Sequence, residues 1–243
     1  LHLDLIAGLP YEGMAEFEKS FNDVYGLQPD MLQLGFLKVL PGTVMEKQRF
    51  EHELQYMDEP PYEILSTKYM PYCGLRFLKV LEDVFEHTYN SGRFVYTLKY
   101  LTEAEGNAFA FYKKFALWWQ KRGKYPLGHN VRGVSRLLYE FAAECYAEKL
   151  ANICDLLRFD VLMFQPGWKP EFLKWHSEEL NEKSMAFWRD AERVQRYLPD
   201  YNFATWRQIQ KKYAIEYFDI SPFTYEKTRK YYLFMYENGA AKA

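Results

Sequence analysis

Leu1-His2-Leu3-Asp4-Leu5-Ile6-Ala7-Gly8-Leu9-Pro10-Tyr11-Glu12 is the stretch whose reading decides the fold. Leu3, Leu5 and Ile6 form a short apolar run of the kind found in parallel strands covered on both faces, and Gly8 and Pro10 end it. From Glu16 to Tyr25, Phe17, Phe21, Val24 and Tyr25 recur at helical spacing, and Gly26 and Pro29 stop the helix. Met31 to Leu40 reads as a second strand closing on Pro41-Gly42-Thr43, so residues 1–43 are expected to form one βαβ unit. A lone βαβ unit leaves apolar faces and edges that neighbours must cover. The chain also enters in mid-strand without an initiator methionine, so it is expected to be a piece of a longer protein.

The order Asp4-Leu5-Ile6-x-Gly8-Leu9-Pro10-x-Glu12, a helix, then Leu34-Gly35-Phe36-Leu37-Lys38-Val39-Leu40-Pro41-Gly42-Thr43 resembles the late strands of the radical S-adenosylmethionine barrel. More narrowly it resembles the branch with an amino-terminal cobalamin-binding domain. Pro60-Pro61-Tyr62-Glu63-Ile64-Leu65-Ser66-Thr67 and the helical sequence behind it resemble the carboxy-terminal region of unknown function in that branch. The fold class expected is therefore α+β, mainly α. Residues 1–70 would be the end of a TIM-type barrel, and residues 71–243 a largely helical domain closed by a small hairpin.

Composition agrees with a globular chain: 49% of the 243 residues are hydrophobic and 26% charged. No apolar run approaches the ~20 residues of a membrane helix, and the cytoplasm is the expected compartment. Cys73, Cys145 and Cys154 are odd in number and widely spaced, which predicts no disulfide framework. If one helix carries both Cys145 and Cys154, their spacing turns them through about 900°, onto opposite faces. Residues 1–72 hold 12 acids and 5 bases, residues 73–243 hold 21 acids and 26 bases, and this mild asymmetry reads chiefly as solvated surface.

Thr43-Val44-Met45-Glu46 has capping-box form and predicts a short helix towards His52; Tyr62 to Tyr69 is expected to be extended or irregular. Leu75 to Phe85 predicts an amphipathic helix, and Arg93 to Leu101 a further one despite its alternating aromatics. Thr102-Glu103-Ala104-Glu105 looks like a second capping box, opening a helix that Gly123 closes. A long helix is expected from Val134 to about Arg158, Phe159 to Phe164 reads as helix or strand, and helices are expected at Pro170 to Asn181, Glu182 to Tyr197 and Phe203 to Lys212. Tyr213 to Ile220 and Lys230 to Tyr236 suggest the closing hairpin, with fraying from Gly239 onward.

The resemblance implies a 4Fe–4S cluster held by Cys-x3-Cys-x2-Cys, S-adenosylmethionine and cobalamin in the full-length protein. No cysteine spacing here matches, so the cluster is expected upstream and the chain by itself is expected to be catalytically silent and to bind none of these cofactors. What the resemblance places here is one wall of the cofactor site. Gly8, Leu9 and Pro10 lie where a strand ends, Ile6 or Leu9 would offer apolar contact to adenosine, and Gly8 would allow close backbone approach. Glu12 would fix that loop, or serves simply as an acid at a helix start. Leu40 to Thr43 lies beside the same mouth, or is a turn and a cap. The helical region would cap the barrel and shape access to an unknown substrate, with the missing barrel and cobalamin domain as partners. The alternative is a helical interaction module for a protein or RNA, because Phe109, Phe111, Tyr112, Phe115, Trp118 and Trp119 alternate with Lys113, Lys114, Lys121, Arg122 and Lys124. Aromatics at helical spacing are more often core. His2, His52, His87, His129 and His176 have no zinc spacing; His129, beside Gly128 and Asn130, is the most site-like.

Overall fold

The computed structural model describes residues 1–125, 127–165, 167–175, 178–202, 205–237 and 240–242. The expectations that touch Pro166, His176, Phe203 and Gly239 fall outside these residues. The fold is α+β and mainly α, and the chain divides into two compact units: residues 1–92 with 101–134, and residues 93–100 with 135–243.

The first unit begins with β1 (His2–Ala7), α1 (Met14–Gly26) and β2 (Met31–Phe36), and the two strands pair in parallel from His2↔Met31 to Ala7↔Phe36. Side chains alternate on both strands. Leu32, Leu34, Phe36 and Ala7 are buried and Leu3 and Leu5 half-buried, whereas His2, Asp4, Ile6 and Gln33 are exposed. The β1 run is thus covered on one face and not on both, because the helices of this unit supply only one layer. α1 buries Phe17 and Phe21, whose rings meet Phe85, Phe109 and Tyr112 edge-on.

β2 stops at Phe36, short of Leu40. The chain then bends so that the Val39 N–H donates to the Tyr62 carbonyl and the Ile64 N–H to the Leu37 carbonyl, each at 2.9 Å. Thr43 caps the four-residue α2 (Val44–Lys47), its hydroxyl accepting from the Glu46 N–H, while the Glu46 carboxylate accepts from the Gly42 N–H. β3 (Gln55–Tyr56) and β4 (Ile64–Ser66) make a small antiparallel ladder. α3 (Tyr72–Thr88) buries Leu75, Leu78, Leu81 and Phe85, and the change to helical sequence near residue 70 falls inside this unit.

α4 (Val95–Glu105) confirms the helix at 93–101, but Thr102 sits inside it and opens nothing. Gly106, at φ +95, ends α4, and Asn107 caps α5 (Ala108–Lys121) by accepting from the Ala110 N–H at 2.7 Å. The long helix expected to reach Arg158 is broken. α6 (Val131–Cys145) ends where Tyr146 takes φ −138 and ψ 41, a 3-10 turn follows, and α7 (Leu150–Phe164) begins anew. Phe159 to Phe164 is accordingly helix, and Cys145 and Cys154 lie on different helices, so the single-helix rotation argument does not apply.

In the second unit no helix starts at Pro170, because its carbonyl accepts from the Leu173 N–H and the Trp175 indole. α8 (Glu178–Arg189) begins later, and Asp190 caps a separate α9 (Ala191–Gln195), dividing the helix expected over 182–197. α10 (Trp206–Lys212) runs directly into β5 (Tyr213–Phe218), which pairs antiparallel with β6 (Lys230–Glu237) as the expected hairpin. Ala240–Lys242 is paired and not frayed: it forms β7 against Met235–Glu237. Among the described residues no helix is long and apolar enough to cross a membrane.

Candidate functional site

The loop from Ala7 to Gly13 leaves the carboxyl end of β1 and enters α1. Gly8 holds φ +88, and a Cβ built there would lie 2.8 Å from Ile64 Cγ2 and 3.4 Å from Leu75 Cδ2. The glycine is therefore demanded twice, by its left-handed backbone and by the side chains already occupying its flank. Leu9 and Ile6 present apolar surface outward, Pro10 is half-buried, and Tyr11 stands exposed with φ +65.

Glu12 is tucked against α1. One carboxylate oxygen accepts from the Ser20 hydroxyl at 3.3 Å and the other is enclosed with no partner. Burial raises its pKa, Ser20 opposes that, and Glu16 adds to it. The helix start does not use Glu12: the carboxylate of Glu16 accepts from the Gly13 N–H at 3.0 Å. Glu12 thus ties the loop to the helix from behind.

Beside this loop the structure gathers three rings that no spacing in the sequence connects. Tyr11 packs on His52 and Tyr69 with centroids 5.3 and 5.1 Å away, and His52 Nδ1 lies 3.3 Å from the Tyr69 hydroxyl. His52 is buried. The positive φ of Tyr11 turns its ring back towards them, a feature invisible in composition.

His129, the histidine singled out by its loop, belongs to a different cluster of the same unit. Its ring meets Trp119 at 4.7 Å and His87 at 5.5 Å, and its Nε2 donates to the Lys124 carbonyl at 2.9 Å. Asp83 accepts from the Trp119 indole at 3.0 Å, and burial raises its pKa. The helical spacing of Asp83 and His87 was the one signal that could have drawn attention to it.

The aromatic segment of α5, weighed as an RNA surface and read by preference as core, is core. Phe109, Phe111, Tyr112, Phe115 and Trp119 are fully buried and Trp118 nearly so. Lys114 pairs with Glu105 at 3.0 Å. Cys73 is exposed and the other two cysteines half-buried; burial pushes the Cys154 thiol up to about 11. Among the described residues no three His, Cys, Asp or Glu side chains converge as a metal site.

The fold defines an α+β protein in which a parallel strand pair opens a chain of helices and an antiparallel hairpin closes it. The chain belongs to the family described as Protein of unknown function (DUF4080), whose model matches residues 50–234. No curated protein matches the chain.

Proposed function

We propose that the chain is the carboxy-terminal portion of a radical S-adenosylmethionine enzyme with a cobalamin-binding domain upstream, and that β1 and β2 are late strands of its barrel. The observation that carries this reading is the two-faced parallel sheet. One face is apolar and lies under helices, and the other carries His2, Asp4, Ile6, Met31, Gln33 and Gly35. A parallel barrel turns one face to its ring of helices and the other to its interior, and polar side chains such as Asp4 and Gln33 suit an interior that holds a ligand. The edges support the same reading. The outer edge of β2 is occupied by Asn90 at one end and by residues 62–64 at the other, whereas β1 has no strand on its outer side among the described residues. Further strands would add beside β1. The resemblance that suggests the barrel also expects a region of unknown function behind it, in keeping with the family match over residues 50–234.

Ile6 and Leu9 fit the expected contact with adenosine, because both present apolar side chains at the strand end. Gly8 sets the turn, with its Cβ direction already filled by Ile64, and Glu12 anchors the loop to α1. The cluster and S-adenosylmethionine, once bound, would supply reductive cleavage of the latter, with methyl transfer by cobalamin as one outcome. The cluster ligands would lie upstream, and helices behind the sheet would shape access to the substrate.

The test uses the full-length protein under anaerobic reconstitution. It should acquire iron–sulfur absorbance and release 5′-deoxyadenosine when reduced with S-adenosylmethionine. Leu9→Asp should weaken cofactor binding at least about tenfold, roughly 1.4 kcal/mol, with cluster absorbance and Tm unchanged. A reconstituted protein that neither binds nor cleaves S-adenosylmethionine overturns the proposal.

A further inference from the structure

Backbone strain, a tight approach and two hydrogen bonds bring Tyr11, His52 and Tyr69 together beside the candidate loop. Tyr11 takes φ +65, a left-handed backbone that residues with a side chain rarely adopt, and so lays a 69% exposed ring against the other two. A ring this exposed gains little from burial, so covering the core does not account for the strain. Gly13 lets the loop come close: a Cβ there would lie 3.2 Å from the Tyr69 carbonyl oxygen. The Tyr69 N–H donates to the Thr67 hydroxyl at 3.0 Å, and the His52 carbonyl accepts from the Lys68 N–H at 2.9 Å.

The three side chains form a series from surface to interior. Tyr11 is exposed, Tyr69 half-buried and His52 buried. The two phenol rings lie 5.1 Å apart by their centroids, and the Tyr69 hydroxyl lies 3.3 Å from Nδ1 of His52. A phenol loses an electron far more readily when its proton has a base to go to, because the oxidised phenol is a strong acid. Nδ1 of His52, as the acceptor of the Tyr69 hydroxyl, is that base. Burial first, then Tyr11 and the carboxylates of Glu51 and Glu53, raise the pKa of Tyr69, which keeps the proton on its oxygen until the electron leaves.

We propose that Tyr11, Tyr69 and His52 form a proton-coupled redox relay that returns a hydrogen atom to a carbon-centred radical at the strand ends. The Tyr11 hydroxyl gives its hydrogen atom to the radical carbon: a C–H bond forms, the O–H bond breaks, and Tyr11 is left as a phenoxyl radical. Tyr69 then passes one electron across the packed rings, and its hydroxyl proton moves to Nδ1 of His52. Tyr11, now a phenolate, takes a proton from water. The oxidising equivalent rests as a Tyr69 phenoxyl beside a His52 imidazolium. A low-potential one-electron donor reduces it, and the imidazolium proton returns to the Tyr69 oxygen. The carbon radical as acceptor rests on the proposed function, whereas the redox-active pair rests on the ring geometry alone.

Two measurements test the pair and its acceptor separately. On the 243-residue chain, oxidation by a flash-generated ruthenium(III) polypyridyl complex should leave a phenoxyl radical that persists after the other tyrosyl signals have decayed, read by transient absorption and EPR. Tyr69→Phe should lose the persistent signal, and His52→Gln should lose its persistence, each with Tm unchanged. No persistent radical, or one that survives both variants, overturns the proposal. The full-length protein is then reduced with S-adenosylmethionine in deuterium oxide without substrate. The 5′-deoxyadenosine released should carry solvent deuterium, and Tyr11→Phe should lower the deuterium content of each molecule formed. Unlabelled 5′-deoxyadenosine overturns the relay and leaves the proposed function standing. Absence of 5′-deoxyadenosine overturns the proposed function and, with it, the acceptor assigned to the relay.

Discussion

Two strand pairs of similar length, the β5–β6 pair, to which β7 adds a short third strand, and the two-stranded β1–β2 sheet, solve the same problem in opposite ways. A two-stranded sheet is marginal by itself because each face loses its apolar surface to water. The β5–β6 hairpin answers with helices on both faces, Phe159 serving one and Trp188 the other. The β1–β2 pair has its helical layer on one face, while Ile6 and Asp4 remain exposed on the other. Closure by local helices makes the first couple self-sufficient. The second is built like a segment of a larger parallel sheet, which is the physical content of the proposed function.

The largest effect that could break this contrast lies at Phe159. Its ring contacts Tyr96, Phe218, Phe223, Tyr232 and Phe234, so Phe159→Ala should cost about 3–5 kcal/mol, measured by urea unfolding. A loss under about 1 kcal/mol would show that the hairpin does not depend on α7. Next comes Gly8→Val, which combines positive φ with collision against Ile64 and should cost about 2–4 kcal/mol. An Ile64→Ala background should recover part of that loss, and no recovery would mean that backbone strain alone sets it.

Asn90→Ala tests how the parallel pair ends. The side-chain amide of Asn90 accepts from the Leu32 N–H at 3.1 Å and donates to the Leu32 carbonyl at 3.0 Å, so its removal should cost about 1–3 kcal/mol and speed exchange of the Leu32 amide.

The last effect is a slope with pH. Asp160 is fully buried on α7 and accepts from the Tyr96 and Thr97 N–H groups at 3.2 and 2.9 Å, and burial lifts its pKa from 3.8 to about 7. Between those values the folded chain holds a proton that the unfolded chain has released. The stability linked to that proton is complete below the unfolded value and is lost as pH rises through about 7. Asp160→Asn should flatten this part of the profile. An unchanged slope would assign it to another group.

The sequence made the element types legible wherever one period dominates. Phe17 and Phe21 declared α1, and the alternating Tyr and Phe of the tail declared the hairpin. It concealed the breaks, because these follow from tertiary demands on single residues. Tyr146 interrupts a pattern that runs smoothly past it, and Asn107 takes the cap that Thr102 resembles. The apolar run of β1 suggested two covered faces because Ile6 is as hydrophobic as Leu5; the two point oppositely, and the structure covers the Leu5 face and leaves that of Ile6 exposed. The candidate loop was legible in Gly8 and Pro10. The His52, Tyr11 and Tyr69 rings beside it were not, since they meet across sequence separations that carry no periodicity.

The amide of Asn90 has a consequence that polymer chemistry describes well. A sheet edge is a growing end, with its free N–H and C=O groups ready to take the next strand. At Leu32 both are consumed by one planar side chain, whose amide also donates to the Glu86 carboxylate at 2.7 Å, so Asn90 acts as a chain terminator there. That point of the β2 edge is thereby closed to a further strand, and under the proposed function the strands of the missing barrel would join on the other side, beside β1.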